Sequence, residues 1–351
     1  MGEEKSGGKG QLEYFKMVQI YRLLKVNRMI KSNRIKLLLI VMAQLTHKRY
    51  YSVRIDPVFA CNLRCRMCYF SKSRKPSSSK FTLEELKLLA KSIFSQALQV
   101  MVGCGAEPTM YKNFVKVVKL AKLHNVPHVG LVTNGQLLSG ENISDLLNAE
   151  LNELTISIHG TCKETYEYLM TGAKWDKIHL ILNEFNKQRK RSGFKTSLRV
   201  NFTANADNYT ELANFFDVFG KYGVNTLQVR PVMDIGGENY NAISPEIITK
   251  YYNVIDSLKA ECKRNNVLLL ANTQNPSYKK RNPLSSIIGE TYKYVSPEMV
   301  IAKDFEWQKE TYSQYLKRTK WAGKTLRKIF HSYKKQPVEL AEKYSSQYDF
   351  F

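Results

Sequence analysis

The stretch Tyr51-Ser52-Val53-Arg54-Ile55-Asp56-Pro57 runs on through Ala60-Cys61-Asn62-Leu63-Arg64-Cys65-Arg66-Met67-Cys68-Tyr69-Phe70. Its first five residues read as a β-strand that ends at Asp56-Pro57, where proline removes a ladder donor. Three cysteines follow within eight residues. Three thiolates at this spacing can hold three corners of a four-iron, four-sulfur cluster, and no fourth cysteine follows in the run. The fourth iron would then be left open, and an open metal position is a place for chemistry. A structural zinc site is the alternative, but zinc wants a fourth ligand, and no Cys or His lies close in sequence.

From this first strand onward, strands and helices alternate. Thr82 to Leu98 reads as a helix, with Thr82 as N-cap and Glu85 three residues on as a capping box. Gln99 to Gly103, His128 to Thr133, Glu153 to His159, Thr196 to Thr203 and Asn225 to Val232 read as strands. Between them, Lys112 to His124, Ile143 to Ala149, Trp175 to Arg191 and Tyr209 to Tyr222 read as helices. Pro245 to Asn265 is a long helix, followed by a short strand at Val267 to Ala271. The alternation is expected to stop near residue 275.

Strands spaced by helices imply right-handed crossovers and a parallel sheet. Six units suit an α/β fold, a partial (β/α)6 TIM-like barrel. Such folds place their site at the C-terminal ends of the strands, and the unusual residues fall there. The cysteines follow the first strand, Gly105-Ala106-Glu107-Pro108 the second, Thr133-Asn134-Gly135 the third and His159-Gly160 the fourth.

The cysteine run and the Gly-Ala-Glu-Pro turn, in this order, resemble the radical S-adenosylmethionine (radical SAM) enzymes. Cys61, Cys65 and Cys68 match the family's pattern of Cys, three residues, Cys, two residues, Cys. Ala106 replaces the second glycine of the family's Gly-Gly-Glu-Pro motif, and Met67 stands where an aromatic residue is usual. The resemblance covers residues 50 to 235 and implies a [4Fe-4S] cluster on the three cysteines, with S-adenosyl-L-methionine bound at its open iron. It implies reductive cleavage to a 5′-deoxyadenosyl radical, with the cofactor carrying the hard step. It implies that Gly105, Ala106, Glu107 and Pro108 meet the methionine amino group and that Met67 packs on the adenine. A one-electron reductant, flavodoxin- or ferredoxin-like, would be a partner. The Asn62-Leu63-Arg64-Cys65 and Thr133-Asn134-Gly135-Gln136 runs look most like the SPASM-type branch. That branch carries cysteines for auxiliary clusters in a C-terminal extension, whereas this chain has only Cys262 after residue 235.

Two further pairs follow from strand alternation. Ser157 and His159 share one face of the fourth strand, and Arg199 and Asn201 share one face of the fifth. Facing inward, they would reach the cofactor or substrate; the alternative for His159 is to cap its strand end. Arg230 on the sixth strand is a further inward candidate. Cys104 and Cys162 lie near strand ends and read as buried inert thiols or as groups near the radical.

The chain has 351 residues, a hydrophobic fraction of 43% and a formal charge of +23, from 54 basic and 31 acidic residues. Such a composition folds, and the charge favours anionic partners: nucleic acid, a lipid surface or an anionic substrate. Half of the six cysteines sit in one cluster, which reads as a reducing, cytoplasmic setting rather than a disulfide framework. Gly2 and Ser6 fit a myristoylation pattern. Residues 14 to 50 hold nine Lys or Arg and no acid, with a helix at Arg34 to Leu45 carrying an apolar patch. Residues 312 to 335 hold eight Lys or Arg, with Trp321 and Phe330 interleaved. The expected division is a basic helical N-terminal extension at 1–50, a core barrel at 51–235 and a helical C-terminal extension at 236–351. The basic ends could seat the protein peripherally at a membrane, or the N-terminal helices could cover the barrel's open edge. The rival to the enzyme is a scaffold on the same barrel whose turnover is lost.

Overall fold

The computed structural model describes residues 29–30, 32–233, 235–239, 241–271, 285–330 and 349–350. The expected myristoylation pattern and the basic stretch before residue 29 lie outside the described residues. Its elements, in order, are α1 (Asn33–Leu45), β1 (Tyr51–Ile55), α2 (Leu83–Ile93), β2 (Ala97–Val102), α3 (Phe114–Leu123), β3 (His128–Thr133) and α4 (Gly140–Asn148). Next come β4 (Glu153–Ser157), α5 (Lys163–Leu169), α6 (Trp175–Arg191), β5 (Ser197–Ala204), α7 (Phe215–Phe219), β6 (Thr226–Pro231), α8 (Ile248–Arg264) and β7 (Leu268–Ala271). The last are α9 (Ser285–Thr291), β8 (Tyr292–Ser296), β9 (Met299–Val300), α10 (Tyr312–Arg318), α11 (Trp321–Phe330) and β10 (Asp349–Phe350).

The strands lie in one sheet in the order β10-β7-β6-β5-β4-β3-β2-β1-β8-β9. β1 to β8 pair in parallel, and only the short β9 and β10 run antiparallel. Among the described residues the sheet does not close. This is the expected partial TIM-like barrel. The capping box holds: the Glu85 N–H donates to Thr82 Oγ1 at 3.2 Å, and the Thr82 N–H to Glu85 Oε2 at 2.7 Å.

One face of each strand is apolar and dry. Val53, Ile55, Val100, Val129, Leu131, Leu154, Ile156, Val200, Leu227 and Val229 are fully or almost fully buried, in one core with the helix leucines and phenylalanines. The other face is polar. Register places Arg54 beside Met101, Gly130 beside Glu153, Thr155 beside Arg199, Ser157 beside Asn201, Asn201 beside Gln228 and Thr203 beside Arg230. Helices cover the first face, so the second lines the inside of the barrel.

Three expectations need correction. The alternation does not stop near 275: α9 leads into β8, which pairs in parallel with β1 and covers its free edge. Residues 236–351 are therefore not simply a helical extension, since besides the expected β7 they supply β8, β9 and β10 to the sheet. The apolar-polar rhythm of Tyr292–Ser296 was legible, but the crossover to β1 is long-range. Second, Tyr209 to Tyr222 is not one helix but two 3-10 turns flanking the short α7. Asn214 and Gly220 in that run are poor helix interiors. Third, the turn between β4 and α6 carries α5, which was not expected.

α1 starts as expected, with Ser32 Oγ accepting from the Ile35 N–H at 3.4 Å. Leu37, Ile40 and Val41 pack it against α9 and α11. β8, rather than α1, closes the edge of β1.

Candidate active site

The cysteine loop leaves the C-terminal end of β1 and is tied down on three sides. Arg64 and Arg66 donate their N–H groups to the carbonyls of Thr171 (2.9 Å) and Leu169 (3.0 Å), at the end of α5. The Glu107 N–H donates to the Ala60 carbonyl at 2.8 Å, and the Cys68 N–H to the Cys65 carbonyl at 2.8 Å. Cys61, Cys65 and Cys68 are all free thiols, partly accessible. Burial pushes Cys61 up to about 12, with the charges of Glu107 and Cys68 adding to it. Cys65 is pushed up by burial and then by Cys61 and Cys68. The three thiols lie within one eight-residue stretch of a single loop.

Among the described residues, no three His, Cys, Asp or Glu side chains form a group able to hold a single metal ion. A cubane cluster does not ask for that, because each thiolate takes a different iron. Two features fit the cluster and its ligand. The donor set is three thiols on one loop, open on one side. On the polar face of β5, Asn201 Oδ1 is buried with no hydrogen-bond partner among the described residues. It stands beside Ser157, the last residue of β4. An orphaned buried acceptor costs free energy until a donor arrives.

The turn after β2 is packed closely on its own neighbours. Gly103 has φ of +89°, and a Cβ there would stand 2.3 Å from the Val132 carbonyl oxygen. A Cβ on Gly105 would meet the Tyr69 hydroxyl at 2.5 Å and Asp56 at 3.4 Å. The Tyr69 hydroxyl donates to the Gly105 carbonyl. Ala106 packs on the Phe59, Tyr69 and Phe70 cluster. Pro108 is buried and opens a 3-10 turn.

Glu107 is buried, and its carboxylate is spent within the protein. Oε1 accepts from the hydroxyls of Thr109 (2.5 Å) and Thr133 (2.6 Å), and Oε2 from the Asn134 N–H (2.8 Å). Burial raises its pKa, while these donors pull it back. Its side chain fixes the ends of β2 and β3 to each other. Asn134 Nδ2 in turn donates to Asn62 Oδ1 at 2.9 Å, inside the cysteine loop.

The other expected site residues divide. Ser157 and Asn201 stand side by side on the polar face of the sheet. Arg199 faces inward, but Nη2 pairs with the fully buried Glu153 at 3.1 Å and Nη1 donates to Gln228 at 3.1 Å. Burial raises Glu153 to about 7, and Arg54 opposes that rise. His159 takes the capping role. Nδ1 accepts from the Thr203 N–H at 3.1 Å, and its carbonyl accepts from Asn208 Nδ2 at 2.9 Å. Met67 packs against Leu169 and Val232.

Asp56 is the residue that the sequence reading passed over. Its buried carboxylate accepts from the N–H of Cys104 at 2.7 Å, the N–H of Gly105 at 2.9 Å and the Tyr294 hydroxyl at 2.8 Å. It shapes the turn after β2 from the end of β1. An acid just before a proline at a strand end reads as an ordinary terminator, and Tyr294 lies beyond the region expected to hold strands.

Residues 55–216 match the family model described as the Radical SAM superfamily. A probable GTP 3′,8-cyclase of Methanocaldococcus jannaschii is 27% identical over 198 residues, 55% of this chain and 64% of its own length. A GTP 3′,8-cyclase of Pasteurella multocida is 30% identical over 116 residues, 32% of this chain and 34% of its own. The chain thus matches between about a third and under two thirds of these curated relatives' lengths. Among solved structures, Streptococcus suis SuiB bound to S-adenosylmethionine aligns with a TM-score of 0.57 at 15% identity, over 86% of this chain and 72% of that one. The anSMEcpe structure with bound AdoMet aligns with a TM-score of 0.51 at 20% identity, over 62% of each chain. These structural likenesses speak for the fold.

Proposed function

We propose, from the premise that this chain carries a radical SAM domain at residues 55–216, that it is an enzyme using a [4Fe-4S] cluster and S-adenosylmethionine. Cys61, Cys65 and Cys68 would hold the cluster, leaving one iron for the amino acid end of S-adenosylmethionine. A group held there would supply radical chemistry on the substrate, with the electron coming from a flavodoxin- or ferredoxin-like partner. The chain's own residues position and seal. Asp56 and Tyr69 fix the backbone from Cys104 to Gly105, Glu107 and Asn134 lock that turn to the cysteine loop, and Ser157 and Asn201 offer polar contacts from the polar face of the sheet.

One observation carries the reading. The three thiols lie on a single loop at the C-terminal end of β1, and the Glu107 N–H to Ala60 bond ties that loop to the turn after β2. The test is iron content after anaerobic reconstitution. About four irons per chain are expected, in keeping with one cubane cluster. Replacing Cys61, Cys65 and Cys68 together by Ala should abolish binding, whereas Cys104→Ala, Cys162→Ala and Cys262→Ala should not. Full iron in the triple variant would sink the assignment.

A peripheral membrane seat is the second part of the proposal, and α1 favours it. Ile35, Leu38, Leu39, Met42 and Leu45 are 43–62% exposed and recur at helical spacing on one side. Not every base in this region faces outward: Lys36 is buried, and Arg49 donates to the carbonyls of Phe94, Ala97 and His124. Among the described residues no helix is long and apolar enough to cross a membrane.

A further inference from the structure

Tyr292 and Tyr294 stand two residues apart on β8, beyond the matched residues 55–216. They share one face of the strand, and contacts of both hydroxyls lead to the turn after β2. Tyr294 donates to Asp56 Oδ2 at 2.8 Å, and the Tyr292 hydroxyl lies 3.2 Å from Cys104 Sγ. Backbone pairing sets this reach. Tyr294 lies beside Arg54 in the parallel register of β8 and β1, and the Asp56 N–H donates to the Val295 carbonyl at 2.9 Å.

The Asp56 carboxylate joins β8 to the turn. It is fully buried. Oδ1 accepts from the Cys104 N–H at 2.7 Å, and Oδ2 accepts from the Gly105 N–H at 2.9 Å as well as from Tyr294. A buried carboxylate must be met by donors, and its bonds to them are charge-assisted. Of these three donors, two are the backbone groups that the carboxylate orients, and the third is the Tyr294 hydroxyl. Tyr294 therefore fixes the carboxylate, and the carboxylate fixes two consecutive amides of the turn. The Tyr69 hydroxyl donates to the Gly105 carbonyl, so both backbone polar groups of Gly105 are held. We infer that Tyr294 is a positioning residue for the S-adenosylmethionine site, holding the Cys104–Gly105 backbone in place through Asp56. This rests on the enzyme reading above and extends the site beyond the matched domain, to β8.

Calorimetry of S-adenosylmethionine binding to the full, cluster-loaded chain tests this, with iron content and unfolding midpoint measured on the same samples. Tyr294→Phe removes one hydroxyl and keeps the ring. It should leave iron content at the parent level and weaken S-adenosylmethionine binding about 10-fold. Tyr51→Phe is the comparison, because it removes another buried tyrosine hydroxyl, the one that donates to the Ile93 carbonyl. It should lower the unfolding midpoint and leave the affinity unchanged. Equal affinity losses in the two variants would make the Tyr294 hydroxyl a matter of stability alone and overturn the inference. So would parent affinity in Tyr294→Phe. The electron paramagnetic resonance spectrum of the reduced cluster, taken before S-adenosylmethionine is added, should be the same in Tyr294→Phe and in the parent. An altered spectrum would place the effect on the cluster rather than on the ligand's seat and would also overturn it. A parent that holds no iron, or holds iron and binds no S-adenosylmethionine, would sink the enzyme reading itself. Unchanged affinity in Tyr294→Phe beside a parent that binds would sink this inference alone.

Discussion

The backbone N–H of Glu107 donates to the carbonyl of Ala60 at 2.8 Å, so the cysteine loop and the turn after β2 are held as one piece. The Glu107 side chain extends the same connection to Thr133 and Asn134. Glu107→Gln would put an amide NH2 where donors already point. The loss expected is about 1–3 kcal/mol, the range for leaving buried partners unsatisfied. Thermal unfolding of the variant measures it, and iron retention should fall with it because Asn134 also holds Asn62. An unchanged midpoint would show that the carboxylate's contacts with Thr109, Thr133 and Asn134 contribute nothing net.

Gly103 is the glycine of this turn whose backbone admits no substitute. At φ +89°, with the Val132 oxygen 2.3 Å from a Cβ position, Gly103→Ala must move β3 or distort the turn. A destabilisation on the order of 1–3 kcal/mol is expected from the backbone conformation alone, and more from the clash. Gly105→Ala acts by another route, by displacing the Tyr69 hydroxyl. It should lower S-adenosylmethionine affinity with the cluster intact. Denaturant titration for the first and calorimetry for the second separate the two roles.

His159 gives the fold an acid-sensitive point. Burial first, and Arg230 second, hold it down to about 3, against an ordinary 6.5. A depressed base supports the fold in full above about pH 6.5 and loses that support as pH falls toward 3. Protonation would also set an N–H against the Thr203 N–H. The contribution of this group should therefore fall below pH 6.5, by up to about 1.4 kcal/mol per unit, while Glu153, raised to about 7 by burial, gains in the same window, so the signature is the difference in pH dependence between the parent and a His159 variant. His128, held to about 4 mainly by burial, adds to the same decline. His159→Asn should show a shallower drop. The same pH dependence in the parent and in His159→Asn would contradict this.

The exposed stripe of α1 makes a prediction about surfaces. Co-sedimentation with anionic vesicles should be seen at low salt and should weaken as salt screens the basic residues. Leu38→Glu with Met42→Glu should remove it while leaving iron content untouched, since both side chains point away from the core. No sedimentation at low salt would exclude the membrane seat.

Much of the barrel was legible because its signals are local. The strand at His128–Thr133 and the helix at Trp175–Arg191 have the bounds their periodicity implies, and the Thr82–Glu85 capping box is an N-terminal signature in four letters. What escaped was non-local. β8 is a five-residue strand whose place beside β1 depends on a partner some 240 positions away in the chain. The candidate site shows the same split. Cysteine spacing announces a metal site, but the saturation of Glu107 and the pairing of Arg199 with Glu153 depend on which strands become neighbours. Asp56 sat just past a strand already identified. Its role became readable only once β2 and β8 were placed around it.

The central claim is that the cysteine loop and the turn after β2 together cleave S-adenosylmethionine. The direct measurement is anaerobic incubation of cluster-loaded protein with a strong one-electron reductant and S-adenosylmethionine, followed by quantification of 5′-deoxyadenosine and methionine. Both products should form with the parent chain and be absent with Cys65→Ala. Protein carrying its full complement of iron that yields neither product would contradict the account and favour a scaffold on the same barrel.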